Sequence, residues 1–192
     1  MGAGIAQVAA VAGRRVLIAD AVPGAAAHAV DAIRDRVKAQ VAKGRLSVDP
    51  DALDLTAVES VAELAGCAVV IEAVVEDLAV KRALFAELEA VVDAGAILAS
   101  NTSSLSPTAL AAGLTSPRRL VGLHFFNPVP AMRLVEVISG LATAPEVADA
   151  AAVSSSGMSL ATARALAAMP GMPGQSVPKI IRFVSRFQFC RA

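Results

Sequence analysis

His124 and Glu136 are the pair of side chains in this sequence best suited to moving a proton. An imidazole titrates near neutrality, and a carboxylate beside it fixes the ring's orientation, which is what reversible oxidation of an alcohol requires. The segment between them holds the Pro-rich turn Asn127-Pro128-Val129-Pro130; if that turn folds the chain back, one carboxylate meets one imidazole. A solitary histidine on a strand is more often structural, and His28, mid-helix with no partner in view, illustrates that case. A second cluster, Ser100-Asn101-Thr102-Ser103-Ser104-Leu105, gathers hydroxyl and amide groups that could hold a ligand or could form a turn into a helix cap. Near the start, Gly2-Ala3-Gly4 opens a helical stretch where glycines let backbone N–H groups approach a pyrophosphate. Small residues there serve packing equally well, and Gln7 stands where a glycine would complete the dinucleotide fingerprint.

These groups can converge only if strands deliver them to one edge of a sheet. Val16-Leu17-Ile18-Ala19 reads as a buried strand ending at Asp20, and Gly24 to Lys43 as a helix with Val30, Ile33, Val37 and Val41 at helical spacing. Ala68 to Ala73 is a second strand, and Lys81 to Val92 a helix with Leu84, Phe85, Leu88, Val91 and Val92 on one face. Ala96 to Ser100 is a strand, Pro107 to Ala112 a short helix opened by proline, Leu120 to Phe126 a strand, and Leu134 to Ile138 a last extended segment. The alternation predicts βαβ units and a Rossmann-type parallel sheet in the α/β class. Open sheets of that kind bind ligands at the carboxyl ends of their strands, where Asp20, Ser100 to Leu105 and His124 all fall. Asp20 stands about where an acidic group hydrogen-bonds the ribose of NAD and repels the 2′-phosphate of NADP; a turn or cap role accounts for it equally well. Because the chain opens on the helical stretch Met1 to Val11, the sheet is expected to lack its first strand.

Composition narrows the partners. With 17 basic and 17 acidic side chains and a pI near 6.7, neither nucleic acid nor an anionic membrane surface is expected. The 56% hydrophobic content derives largely from 43 alanines, and no run of 18 apolar residues exists to span a membrane. No basic region precedes the apolar residues Met1 to Gly13, so a signal peptide is not expected. Cys67 and Cys190 lie far apart and match no metal spacing, which points to no metal and to a reduced, cytoplasmic protein. After Asp149 no acidic residue occurs, five basic ones do, and three of the six phenylalanines fall in the last ten positions. That shift is what a genuine basic tail or translation in a wrong frame would show, so residues 1–150 are expected to hold the incomplete Rossmann-type α/β domain and 151–192 an irregular tail, either divergent or out of frame.

The order and wording of several segments resemble one family. Met1-Gly-Ala-Gly-Ile-Ala-Gln7, Val70-Ile-Glu-Ala-Val-Val-Glu76, Lys81, Ser100 to Leu105 and Gly122-Leu-His-Phe-Phe-Asn-Pro-Val-Pro-Ala-Met-Arg-Leu-Val-Glu-Val137 look like 3-hydroxyacyl-CoA dehydrogenases, 3-hydroxybutyryl-CoA dehydrogenases included. The resemblance covers roughly residues 1 to 150 and implies NAD-dependent oxidation of (S)-3-hydroxyacyl-CoA to 3-oxoacyl-CoA in fatty-acid or related acyl-CoA metabolism. It implies His124 as general base, Glu136 as its orienting partner, and Ser103 on the substrate oxygen and beside the nicotinamide ribose. It places Asn127 at the nicotinamide end, Asp20 on the adenosine ribose, Gly2 in the nucleotide loop, Glu76 and Lys81 along the NAD cleft, and Lys43 near the CoA moiety. In the family a strand and two further glycines precede the position of Met1, and an Asn-containing segment and a helical dimerisation domain follow; the resemblance leads us to expect no counterpart of these in this chain. Turnover by the chain alone is thus expected to be impaired, and an oligomer absent or non-specific. Two other readings fit the same residues: a related dehydrogenase of free hydroxy acids such as gulonate, and a non-catalytic remnant or NAD-binding module.

Overall fold

Both faces of a parallel sheet are covered by helices, so its strands must be apolar on both sides, and the short aliphatic runs of this chain meet that demand. The computed structural model describes residues 1–132, 134–156, 158, 161–165 and 181–184. Helix α1 (Gly2–Val11) leads into β1 (Val16–Ala19), α2 (Ala25–Ala42) and β2 (Leu55–Val58). Then come β3 (Val69–Glu72), α3 (Leu78–Val91), β4 (Ile97–Ser100), α4 (Pro107–Ala111) and β5 (Leu120–Phe125). The remaining described elements are β6 (Leu134–Ser139), α5 (Pro145–Ser156), β7 (Ala161–Ala165) and β8 (Ile181–Val184).

One sheet joins the strands in the order β2-β1-β8-β3-β4-β5-β6-β7. From β2 to β5 the neighbours are parallel; β6 runs antiparallel to β5, and β7 parallel to β6. Alternate side chains feed two cores, as the period of two demands. Val16, Ile18, Val69, Ile71, Val121 and Leu123 pack on one face with Ile5, Ala6, Ile33 and Val37 of α1 and α2. Leu17, Val70, Leu98 and Leu120 pack on the other with Phe85 and Leu88 of α3 and Leu110 of α4.

The α/β class is as expected, and β1 has the expected bounds. Helix α3 starts earlier than its apolar stripe suggests because the Asp77 carboxylate caps it, accepting from the Val80 N–H at 2.9 Å. The slot expected to stay open beside β1 is taken by β8. Ile18 and Ala19 pair with Phe183 and Val184 on one side, and Val69 to Glu72 pair with Ile181 to Val184 on the other. Of the tail beyond residue 158, only 161–165 and 181–184 are described, both as strands; the rest, with Cys190, lies outside the described residues.

Candidate active site

The turn after β5 does fold the chain back. Antiparallel pairing of β5 with β6 sets His124 directly opposite Glu136, so both side chains leave the same face of the sheet. The imidazole Nδ1 stands 2.8 Å from Glu136 Oε2. A carboxylate can only accept, so Nδ1 carries the hydrogen, and in the neutral ring Nε2 is the atom free to take a proton. The His124 side chain is 17% exposed, open to a ligand and largely screened from bulk water. The Phe126 ring lies against it, centroids 4.5 Å apart. Close packing guards this register: a Cβ on Gly122 would fall 3.0 Å from Ile138 Cβ and 3.2 Å from Pro107 Cγ.

Glu76 organises the hydroxyl cluster after β4. Its Oε1 accepts from the Thr102 hydroxyl, from the Ser103 and Ser104 N–H groups at 3.2 Å each, and from Ser104 Oγ at 2.9 Å. Partial burial alone would raise this carboxyl, but the Thr102 and Ser104 hydroxyls and the Lys81 ammonium outweigh it and bring it down to about 2. Lys81, only 1% exposed, sends Nζ to Glu72 Oε1 at 2.6 Å, to Glu76 Oε2 at 3.3 Å and to the Val74 carbonyl at 3.3 Å. An ammonium has three N–H bonds, and each has an acceptor within the protein. Asn101 Oδ1 accepts from the Phe125 N–H at 2.8 Å and so ties the end of β4 to the end of β5.

Two cavities lie along the carboxyl ends of the strands. One, about 460 Å³, is lined by Glu76, Lys81, Asn101, Ser103, His124 and Asn127, with Met1 at the start of α1. The other, about 600 Å³, is lined by Asp20, Ala21, Ser60, Leu84 and Glu87; Val74 borders both. Asp20 closes a turn, its Oδ1 accepting from the Val22 N–H at 2.9 Å, and it also borders this cavity, so its two readings are compatible. Gly2 is buried in the first turn of α1. Lys43 caps the far end of α2, exposed and outside the lining of both cavities, and His28 is exposed on α2. The sequence reading gave no part to Glu72, although a single charge closing the apolar run Val69-Val70-Ile71 was its signal. The residues fit a dinucleotide: two adjoining cavities with polar groups at both ends, an acid at one and an imidazole at the other.

The model of the family described as 3-hydroxyacyl-CoA dehydrogenase, NAD binding domain, matches residues 1–160. The chain belongs to this family. Among its relatives, the 3-hydroxyadipyl-CoA dehydrogenase of Escherichia coli K12 is 47% identical over 152 residues, 78% of this chain and 32% of the relative. A 3-hydroxybutyryl-CoA dehydrogenase of Bradyrhizobium diazoefficiens is 44% identical over 146 residues, 74% of this chain and 50% of the relative. The crystal structure of an Escherichia coli K12 3-hydroxybutyryl-CoA dehydrogenase superimposes with a TM-score of 0.79 at 43% identity, covering 84% of this chain and 35% of the other. The chain thus spans 32% to 50% of the length of these relatives. Among the described residues, no helix is long and apolar enough to cross a membrane.

Proposed function

We propose that this chain supplies the cofactor-binding and proton-transfer half of an NAD-dependent oxidation of (S)-3-hydroxyacyl-CoA to 3-oxoacyl-CoA. The observation that carries the proposal is the 2.8 Å pairing of Glu136 with His124, whose side chain lines a cleft that also holds Ser103 and Asn127. Bound NAD would supply the hydride acceptor. His124 Nε2 takes the proton of the 3-hydroxyl, and Glu136 holds the ring and stabilises the imidazolium that results. Ser103 donates to the substrate oxygen, and Asn127 contacts the nicotinamide end. Asp20 accepts from the adenosine ribose, and Gly2 lets the start of α1 approach the phosphates. Glu76 and Lys81 form the wall between, and Lys43 meets a phosphate of the CoA moiety beyond the cleft. Residues 1–150 hold every one of these groups. A cytoplasmic location belongs to the same reading, and cell fractionation checks it.

The test is a chimaera in which residues 1–150 of this chain replace the matched segment of the Bradyrhizobium relative. It should reduce NAD with 3-hydroxybutyryl-CoA, and Asp20→Ala should weaken NAD binding and narrow the preference over NADP. A folded chimaera that produces no NADH would overturn the proposal.

A further inference from the structure

Glu72 is a carboxylate with no exposed surface in a central strand, and nothing in the proposed chemistry uses it. Burying a charge there is costly unless it is paired and hydrogen-bonded, and each oxygen of Glu72 is met by a different part of the site. Oε1 takes the Lys81 ammonium and the Val74 N–H, both at 2.6 Å; Oε2 takes the Ser100 hydroxyl at 2.6 Å. Both routes run on to the same loop. Ser100 Oγ accepts in turn from the Thr102 N–H at 3.3 Å, and Lys81 reaches Glu76, whose Oε1 gathers Thr102, Ser103 and Ser104. We propose that Glu72 is a positioning residue which sets the Ser103 loop through Lys81 and Glu76 on one side and through Ser100 on the other.

The distances show how. Lys81 lies 2.6 Å from Glu72 and 3.3 Å from Glu76, so the ammonium belongs first to Glu72. Held there, it leaves Glu76 Oε1 to the four loop donors. With Glu72 neutral, the ammonium would follow Glu76, drawing that carboxylate off the loop, while Ser100 would lose its charged acceptor. Lys81 on this account is an internal counter-ion, and its influence on any bound dinucleotide passes through Glu76. The consequence for turnover rests on the reading of Ser103 given above; the loop geometry does not.

Residue-resolved amide hydrogen exchange of the 192-residue chain tests it without ligand. In Glu72→Gln, exchange at Ser103 and Ser104 should rise ~10-fold or more while Val70 in β3 and Leu98 in β4 keep their protection. Unchanged exchange at Ser103 and Ser104, or an equal rise in β3 and β4 that marks a merely structural role, would overturn the proposal. If that variant does not fold, Glu72→Asp keeps the charge and retracts it by one methylene. A selective rise at the two serines then supports the proposal, and its absence overturns it. A failure of the chain to act on acyl-CoA would leave these exchange results untouched, so the two claims fail separately.

Discussion

Glu76 owes its low value to donors that exist only when the loop and α3 are folded around it. The native value, about 2, lies below the ordinary 4.5, so its contribution to stability is complete above the ordinary value and fades as pH falls toward the native one. Glu76→Gln lacks that contribution at every pH. Urea unfolding should therefore show wild type ahead of Glu76→Gln near neutrality, with the gap narrowing between about pH 4.5 and about pH 2. A gap that stays constant over this window would show that the carboxylate's charge is not what binds the loop. His124 and Glu136 were legible in the sequence because a Pro-rich turn separates two runs of strand-forming residues. Glu72 was not, because its partner Lys81 is reached across a turn and along a helix, and no local spacing announces such a bridge.

The hairpin of β5 and β6 carries the site's register, and Gly122 guards it. Two residues before His124 on the same face, it leaves room for Ile138, two residues past Glu136 on the facing strand. Gly122→Ala places a methyl 3.0 Å from Ile138 Cβ, with Pro107 of α4 blocking retreat on the other side. Overpacking of this kind costs ~1–3 kcal/mol, and the strand shift it forces should lengthen the His124–Glu136 bond. Lower urea stability together with loss of the downfield Nδ1 proton resonance is the expected result; a variant retaining both would show that the close packing is dispensable. Elements with continuous apolar runs, β1, β3, β4 and β5, were readable because burial on both faces leaves no ambiguity of period. The edge strand β2 was not, since Leu55-Thr56-Ala57-Val58 is flanked by acids, interrupted by a threonine and half exposed. Antiparallel β6 was expected only as an extended segment, because the direction of a strand is set by its connection and not by its composition.

At the scale of the molecule, the sheet depends on residues from both ends of the chain. β8 pairs on both edges, with β1 and with β3, so its backbone N–H groups are spent on ladder bonds whatever its side chains do. A proline in such a central strand removes a donor and leaves an acceptor unmet. Phe183→Pro should lower stability by about 2 kcal/mol and Tm by roughly 4–8 °C. An unchanged Tm would mean that β1 and β3 do not rely on this strand. Position between β1 and β3 could not be read from the tail's composition, since strand order is a property of the assembled sheet.

Proton transfer at His124 is the claim on which the functional account turns. In the chimaera with the Bradyrhizobium relative, His124→Ala should lower kcat for 3-hydroxybutyryl-CoA oxidation by ~10²–10⁴-fold while NADH affinity stays within a factor of about two, with Glu136→Gln falling between it and wild type. A His124→Ala chimaera that oxidises the substrate at the parent rate, or one that loses NADH binding in proportion to its turnover, would contradict the assignment of His124 as the base.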